Sequence, residues 1–166
     1  RPRIVKVLNS ISHIALHSYC LAAASGLGSA AEATTSKETI MTDQREAGRA
    51  LMVRVLGQDY MDRRDASTND FNAPLRQLSE EVAFGNVWQR PPLTPKLRSM
   101  LCLALLTALN RPHEIRVHVN SSINNGCTLE EIREVLLHTV LYCGLPATID
   151  AMRVAEEVLK ERGLLT

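Results

Sequence analysis

The sequence predicts an all-α protein, and three observations carry that prediction. Apolar residues recur at steps of three and four, start and stop signals bracket the segments in which they do so, and no stretch alternates with a period of two for long enough to form a strand. Six helices follow in order. Arg45 to Leu56 is modestly amphipathic and ends at Gly57. Phe71, Leu75, Leu78 and Val82 make one apolar stripe on a helix that stops near Gly85, with Pro74 tolerated because it falls in the first turn. Thr94-Pro95 supplies an N-cap and a proline at the first helical position for the segment Lys96 to Leu109. Pro112 opens a helix that closes at Asn124-Asn125-Gly126, where glycine suits the left-handed cap. Thr128 and Glu131 form a capping box for a helix expected to run to Gly144. Ala151, Met152, Ala155, Val158 and Leu159 face inward on the last helix, with Arg153, Glu156, Glu157, Lys160 and Glu161 outward.

Composition narrows the function. The chain has 166 residues, 45% hydrophobic and 22% charged, with formal net charge +1. This is a globular composition with enough length for one core, and it excludes disordered, collagen-like and disulfide-scaffold classes. Four cysteines, none in a Cys-x-x-Cys pair, give neither a zinc ribbon nor a dithiol redox motif, and no clustered ligand set points to a metal. Near-neutral charge and few aromatics (Phe 2, Tyr 3, Trp 1) leave little for a nucleic-acid groove. The densest apolar run, Met100 to Leu109, is too short to cross a bilayer as a helix, so no membrane partner is expected. That helix and the one after Thr128 are apolar on more faces than a chain of roughly 125 folded residues can cover, which predicts a homo-oligomer.

Residues 1–40 differ from the body, 41–166. They carry Arg1, Arg3, Lys6 and Lys37 against Glu32 and Glu38, and the stretch before Glu32 is basic, small, or rich in Ser and Ala. That pattern suits a targeting leader, with the Ala/Ser/Thr tract at 29–36 as a flexible linker. Met41 as the natural start, with translated upstream sequence before it, accounts for the same pattern. Either way the leader is expected to lie outside the fold.

Glu114 and His118 stand four apart on one helix, so their side chains share a face. A carboxylate beside an imidazole favours the imidazolium and orients it for proton transfer. An exposed ion pair at a helix start has the same spacing. His138, within an apolar segment, is either a satisfied core histidine or a second proton donor. Arg98, at the start of the most apolar helix, needs a carboxylate from the protein or from a ligand. Arg90 and Arg116 are further cationic candidates, with surface exposure as their plain reading. Trp88 either walls a pocket or anchors its loop. Cys102, Cys127 and Cys143 are read as small core residues.

These residues, taken together with their spacing, resemble a known family. Trp88-x-Arg90-Pro91-x-Leu93, Arg98, Ala108-Leu109-Asn110-Arg111, Glu114-Ile115-Arg116-x-His118, Asn125-Gly126, Val135-Leu136-Leu137-His138 and Tyr142-x-Gly144-x-Pro146 are similar to the γ-carboxymuconolactone decarboxylases over about 41–166. The resemblance implies a six-helix bundle of the alkyl hydroperoxidase D-like superfamily, cofactor-free and oligomeric as a trimer or hexamer. It implies removal of CO2 from 4-carboxymuconolactone to give β-ketoadipate enol-lactone, in protocatechuate breakdown. In the hydroperoxidase branch, Cys-x-x-Cys and a following His carry the chemistry; here Arg111 and Glu114 stand at the cysteine places and His118 at the histidine. Without the thiols, dithiol peroxide reduction has no route.

The reaction so implied assigns Arg98, with Arg116, to a substrate carboxylate, and gives His118, oriented by Glu114, the proton or the developing enolate. Trp88 and Arg90 are further substrate-side candidates, and His138 is a second donor. The partner is a small dicarboxylate lactone. The family implies a cytoplasmic protein, whereas a genuine leader at 1–40 implies organelle targeting or export. Two other readings stay open: a relative acting on another lactone or a peroxide, and a non-enzymatic oligomeric binding protein.

Overall fold

The computed structural model describes residues 30–166, with side chains from Asp43 onward. Most of the expected leader therefore lies outside the described residues. Among the described residues there are seven α-helices and no strand: α1 Ala30–Leu56, α2 Gln58–Ala66, α3 Ala73–Leu78, α4 Pro95–Ala108, α5 Pro112–Asn124, α6 Leu129–His138 and α7 Val140–Glu161. A π-helical turn, Ser79–Phe84, continues α3, and a 3-10 turn, Val87–Gln89, follows it.

Several boundaries sit where local chemistry places them. Thr94 accepts from the Leu97 N–H with Pro95 behind it, and Thr128 and Glu131 make the reciprocal capping box. Other boundaries differ from expectation. Helix α1 begins at Ala30, inside the tract expected to be a linker. Nothing periodic announces helix α2, because Gln-Asp-Tyr-Met-Asp-Arg-Arg-Asp-Ala has no apolar stripe and buries only Met61. The helix after Thr128 stops at His138 rather than Gly144, and the next leaves at 119° to it. Gly144 (φ 81°) breaks the regular turns inside α7, two residues before Pro146.

The stripe on α3 and its π turn faces the other way from expectation. Phe71 is 97% exposed and Leu75, Leu78 and Val82 are exposed with it, while Glu80 and Phe84 turn inward. Backbone contact with α1 explains this orientation. A Cβ on Gly48 would lie 1.9 Å from the Glu80 carbonyl oxygen, and one on Gly85 would lie 2.4 Å from the Gln44 carbonyl. Only two glycines let the segments meet so closely.

Two apolar clusters result. Leu103, Ile115, Val119, Ile132, Leu136 and Val158 belong to the larger one, built by α4, α5, α6 and α7. Leu51, Met52, Val55, Leu56, Met61 and Phe84 form the smaller one under α1 and α2. Helix α5 serves both, since Ile115 and Val119 face the first while Val117 packs against the second. His118 follows Val117 and so comes to the α1–α2 side.

Candidate active site

His118 lines a cavity of about 290 Å³ together with Met52, Leu56, Tyr60, Arg64, Leu75, Arg76, Ser79, Phe84 and Val117. Four separate segments build its wall: α1, α2, α3 with its π turn, and α5. This volume lies at the lower edge of small-molecule sites, which run from about 300 Å³. Leu56, Tyr60, Arg64, Arg76 and Val117 also line a wider groove of about 750 Å³, which adds Arg63, His113, Arg116 and Arg162 against Asp59 and Glu161. The groove carries more positive than negative side chains, and it suits an anionic ligand.

The imidazole is partly buried, and its Nδ1 is buried without a hydrogen-bond partner among the described residues. Burial pushes its pKa below the ordinary histidine value, and the Glu114 carboxylate pulls it only part of the way back. That ordering corrects the expectation of a stabilised imidazolium: desolvation outweighs the neighbouring charge. Glu114 itself is exposed, lines neither space, and makes no hydrogen bond to His118 among the described residues. A neutral imidazole can still donate one N–H and accept at its other nitrogen.

Beside the cavity lies a buried carboxylate held by three guanidiniums. Glu80, 1% exposed, accepts from Arg45 Nε at 2.6 Å, from Arg49 Nη1 at 2.7 Å and from Arg64 Nη1 at 2.7 Å. Burial by itself would raise its pKa, but the three hydrogen bonds outweigh burial and hold it below the usual carboxylate range. Arg64 is fixed further by donating from Nη2 to the Arg76 carbonyl at 2.9 Å.

The other candidate residues are scattered. Arg116 donates to Glu161 at 2.8 Å and to Glu157 at 2.5 Å, so its charge is already matched within the protein. Arg98 lines none of the three described cavities; its Nη2 donates to the Arg90 carbonyl at 2.6 Å and its Nε is buried without a partner. The Arg90 side chain is exposed. Trp88 stacks on Phe84 with centroids 5.1 Å apart, and it joins the smaller core cluster instead of a described pocket wall. His138 is exposed, and it belongs to a different, apolar groove of about 620 Å³ with Leu93, Leu97, Leu101 and Glu134. Of the named candidates, the structure therefore puts His118 on the cavity and Arg116 on the groove that shares five wall residues with it, and leaves Arg98, Trp88, Arg90 and His138 elsewhere. Cys127 is buried, while Cys102 and Cys143 are half-buried. Among the described residues, no group of three His, Cys, Asp or Glu side chains could hold a metal ion.

The model of the carboxymuconolactone decarboxylase family matches residues 74–157. The chain belongs to this family. It is similar to a 4-carboxymuconolactone decarboxylase of Acinetobacter baylyi, 41% identical over 126 residues that cover 75% of this chain and 94% of the relative. It is also similar to a nitrosuccinic acid decarboxylase of Metarhizium robertsii, 40% identical over 107 residues that cover 64% of this chain and 75% of the relative.

For a member of the carboxymuconolactone decarboxylase family, the cavity adds Tyr60, Arg64, Arg76 and Ser79, which sequence reasoning missed. Tyr60 and Arg64 come from α2, which has no apolar stripe, and Arg76 and Ser79 stand outside the stripe of α3 and its π turn. Glu80 had no local signal either: it lies on the face opposite the stripe of Phe71, Leu75, Leu78 and Val82, where the stripe reading leaves it in solvent.

Proposed function

We propose that this protein is a carboxy-lyase that removes CO2 from 4-carboxymuconolactone and yields β-ketoadipate enol-lactone, a step in protocatechuate breakdown. The observation that carries the proposal at the site is a single partly buried imidazole on the wall of an arginine-bearing cavity. The likeness to a decarboxylase named for this substrate supports it. The chemistry needs few groups. The bond to the departing carboxylate breaks, and its electron pair moves through the ring double bond onto the lactone carbonyl oxygen. The resulting furan-like enolate is then protonated at the carbon next to that carbonyl. His118, neutral at pH 7 because burial lowers its pKa, donates its N–H to the oxygen on which charge builds. Arginines along the cavity and groove hold the dianionic substrate, and solvent admitted by the groove supplies the proton.

A homo-oligomer, trimer or hexamer, belongs to the same proposal. Leu93, Leu97, Leu101, Leu105 and Leu109 recur every four residues and are all exposed, and an apolar patch of this kind marks an interaction surface. Light scattering behind a sizing column tests it, and a monomer at micromolar concentration would remove it.

Nitrosuccinic acid is the second substrate to assay, because it too is a dicarboxylate with a carboxylate beside an electron sink. Purified protein is incubated with each compound while CO2 release is followed. His118→Gln is expected to lower kcat by about 10²–10⁴-fold while the protein still folds. Turnover of the lactone at the wild-type rate by that variant would exclude His118 from the mechanism.

A further inference from the structure

We propose that Arg76 is the subsite for the carboxylate that the substrate keeps, and so the residue that makes the site selective for dicarboxylates. The inference rests on the decarboxylase reading and assigns a residue that this reading leaves open. Arg64 and Arg76 are the two guanidiniums that share the 290 Å³ cavity with His118. They are held in opposite ways. The Arg64 side chain is 8% exposed, and its charge is matched by Glu80 at 2.7 Å. It has little left to offer a ligand.

Arg76 is held by neutral oxygens instead. Its Nη1 donates to Thr68 Oγ1 at 3.0 Å, and its Nη2 donates to Ser67 Oγ at 2.9 Å and to the Ser67 carbonyl at 3.4 Å. No carboxylate among the described residues lies within ion-pair distance of it. Asp65, which feels its charge, is bound by Arg49 at 2.6 Å. Neutral acceptors fix the direction of the fork while leaving the charge uncompensated, and Nε–H and one Nη1–H have no acceptor among the described residues. A guanidinium so oriented is preorganised for a carboxylate, because little side-chain freedom is lost on binding. Arg76 also reaches the wider groove. A substrate with one carboxylate near His118 and a second on a short arm can therefore place the second on Arg76.

The test pairs turnover with binding of succinate, an inert dicarboxylate, reported by the His118 ring resonances. In the wild-type protein succinate is expected to raise the His118 titration midpoint. In Arg76→Gln that rise disappears, and KM for the lactone increases roughly 10- to 100-fold with a smaller change in kcat. Arg76→Lys restores part of the affinity. The lactone carrying a methyl ester on its retained carboxylate binds wild type and Arg76→Gln alike. Arg133→Gln, which removes the same charge on α6 outside both spaces, leaves succinate affinity unchanged. Unaltered succinate binding by Arg76→Gln overturns the subsite even if the lactone is turned over. Absence of lactone turnover by the wild-type protein overturns the decarboxylase reading, while a succinate response that depends on Arg76 still supports the subsite.

Discussion

Replacing Glu80 by Gln removes one negative charge and keeps the shape of the side chain, so it isolates what the buried carboxylate contributes. Arg64 decides the magnitude. Its side chain is 8% exposed, and losing the partner leaves a nearly buried cation uncompensated, which costs about 3–5 kcal/mol when a buried pair is broken from one side. Arg45 and Arg49 are 46% and 38% exposed and relax into water, so each loses at most about 1 kcal/mol. The amide oxygen introduced by Glu80→Gln still accepts from one guanidinium, which brings the expected loss to about 3 kcal/mol. For the unit Thr39–Thr166, with an unfolding entropy of about 0.27 kcal/mol/K, that is a drop in Tm of roughly 11 °C at fixed protein concentration. The pH dependence follows from the lowered carboxyl pKa. Its stabilisation is complete above the ordinary value near 4.5 and is lost as pH falls through the lower folded-state value, so the two proteins converge on acidification. Thermal denaturation of both across pH measures this. A loss under about 1 kcal/mol at pH 7, or a gap that does not narrow below the ordinary carboxylate range, would refute the reasoning.

Glu114→Gln removes the charge that, among the described residues, raises the His118 pKa, so the imidazole should titrate at still lower pH, as an NMR titration would show. A histidine whose folded pKa is depressed costs stability as pH falls below about 6.5, and this variant should extend that loss to more acid conditions; an unmoved midpoint would mean that Glu114 does not act on the ring. Gly48→Ala gains about 1 kcal/mol of helix propensity but drives a Cβ to 1.9 Å from the Glu80 carbonyl, so a net loss of stability of about 1–2 kcal/mol is expected from denaturant titration. A Gly48→Ala protein more stable than wild type would show that α1 and the π turn are not in backbone contact.

The readable part of the fold is the part governed by chemistry within one turn. Thr94-Pro95, Thr128 with Glu131, Gly57 and Gly126 set ends because capping bonds and positive φ are local demands. The periodic apolar residues of α7 found the core for the same reason. His118 was legible as a candidate through its four-residue spacing to Glu114, yet the burial that governs its protonation was not, since Met52, Leu56, Tyr60 and Phe84 around it are remote in sequence.

By itself the sequence determined an all-helical chain, many of its helix ends, and one imidazole worth attention, because each depends on residues three or four positions apart. Tertiary structure alone decided that Glu80 and Phe84 point inward while Phe71 and Leu75 face out, and that Arg64 and Arg76 join His118. Those outcomes rest on a glycine-permitted contact between distant backbones and on ion pairs spanning up to 35 positions. Such balances between desolvation and pairing are set by three-dimensional neighbours, and no local pattern encodes them.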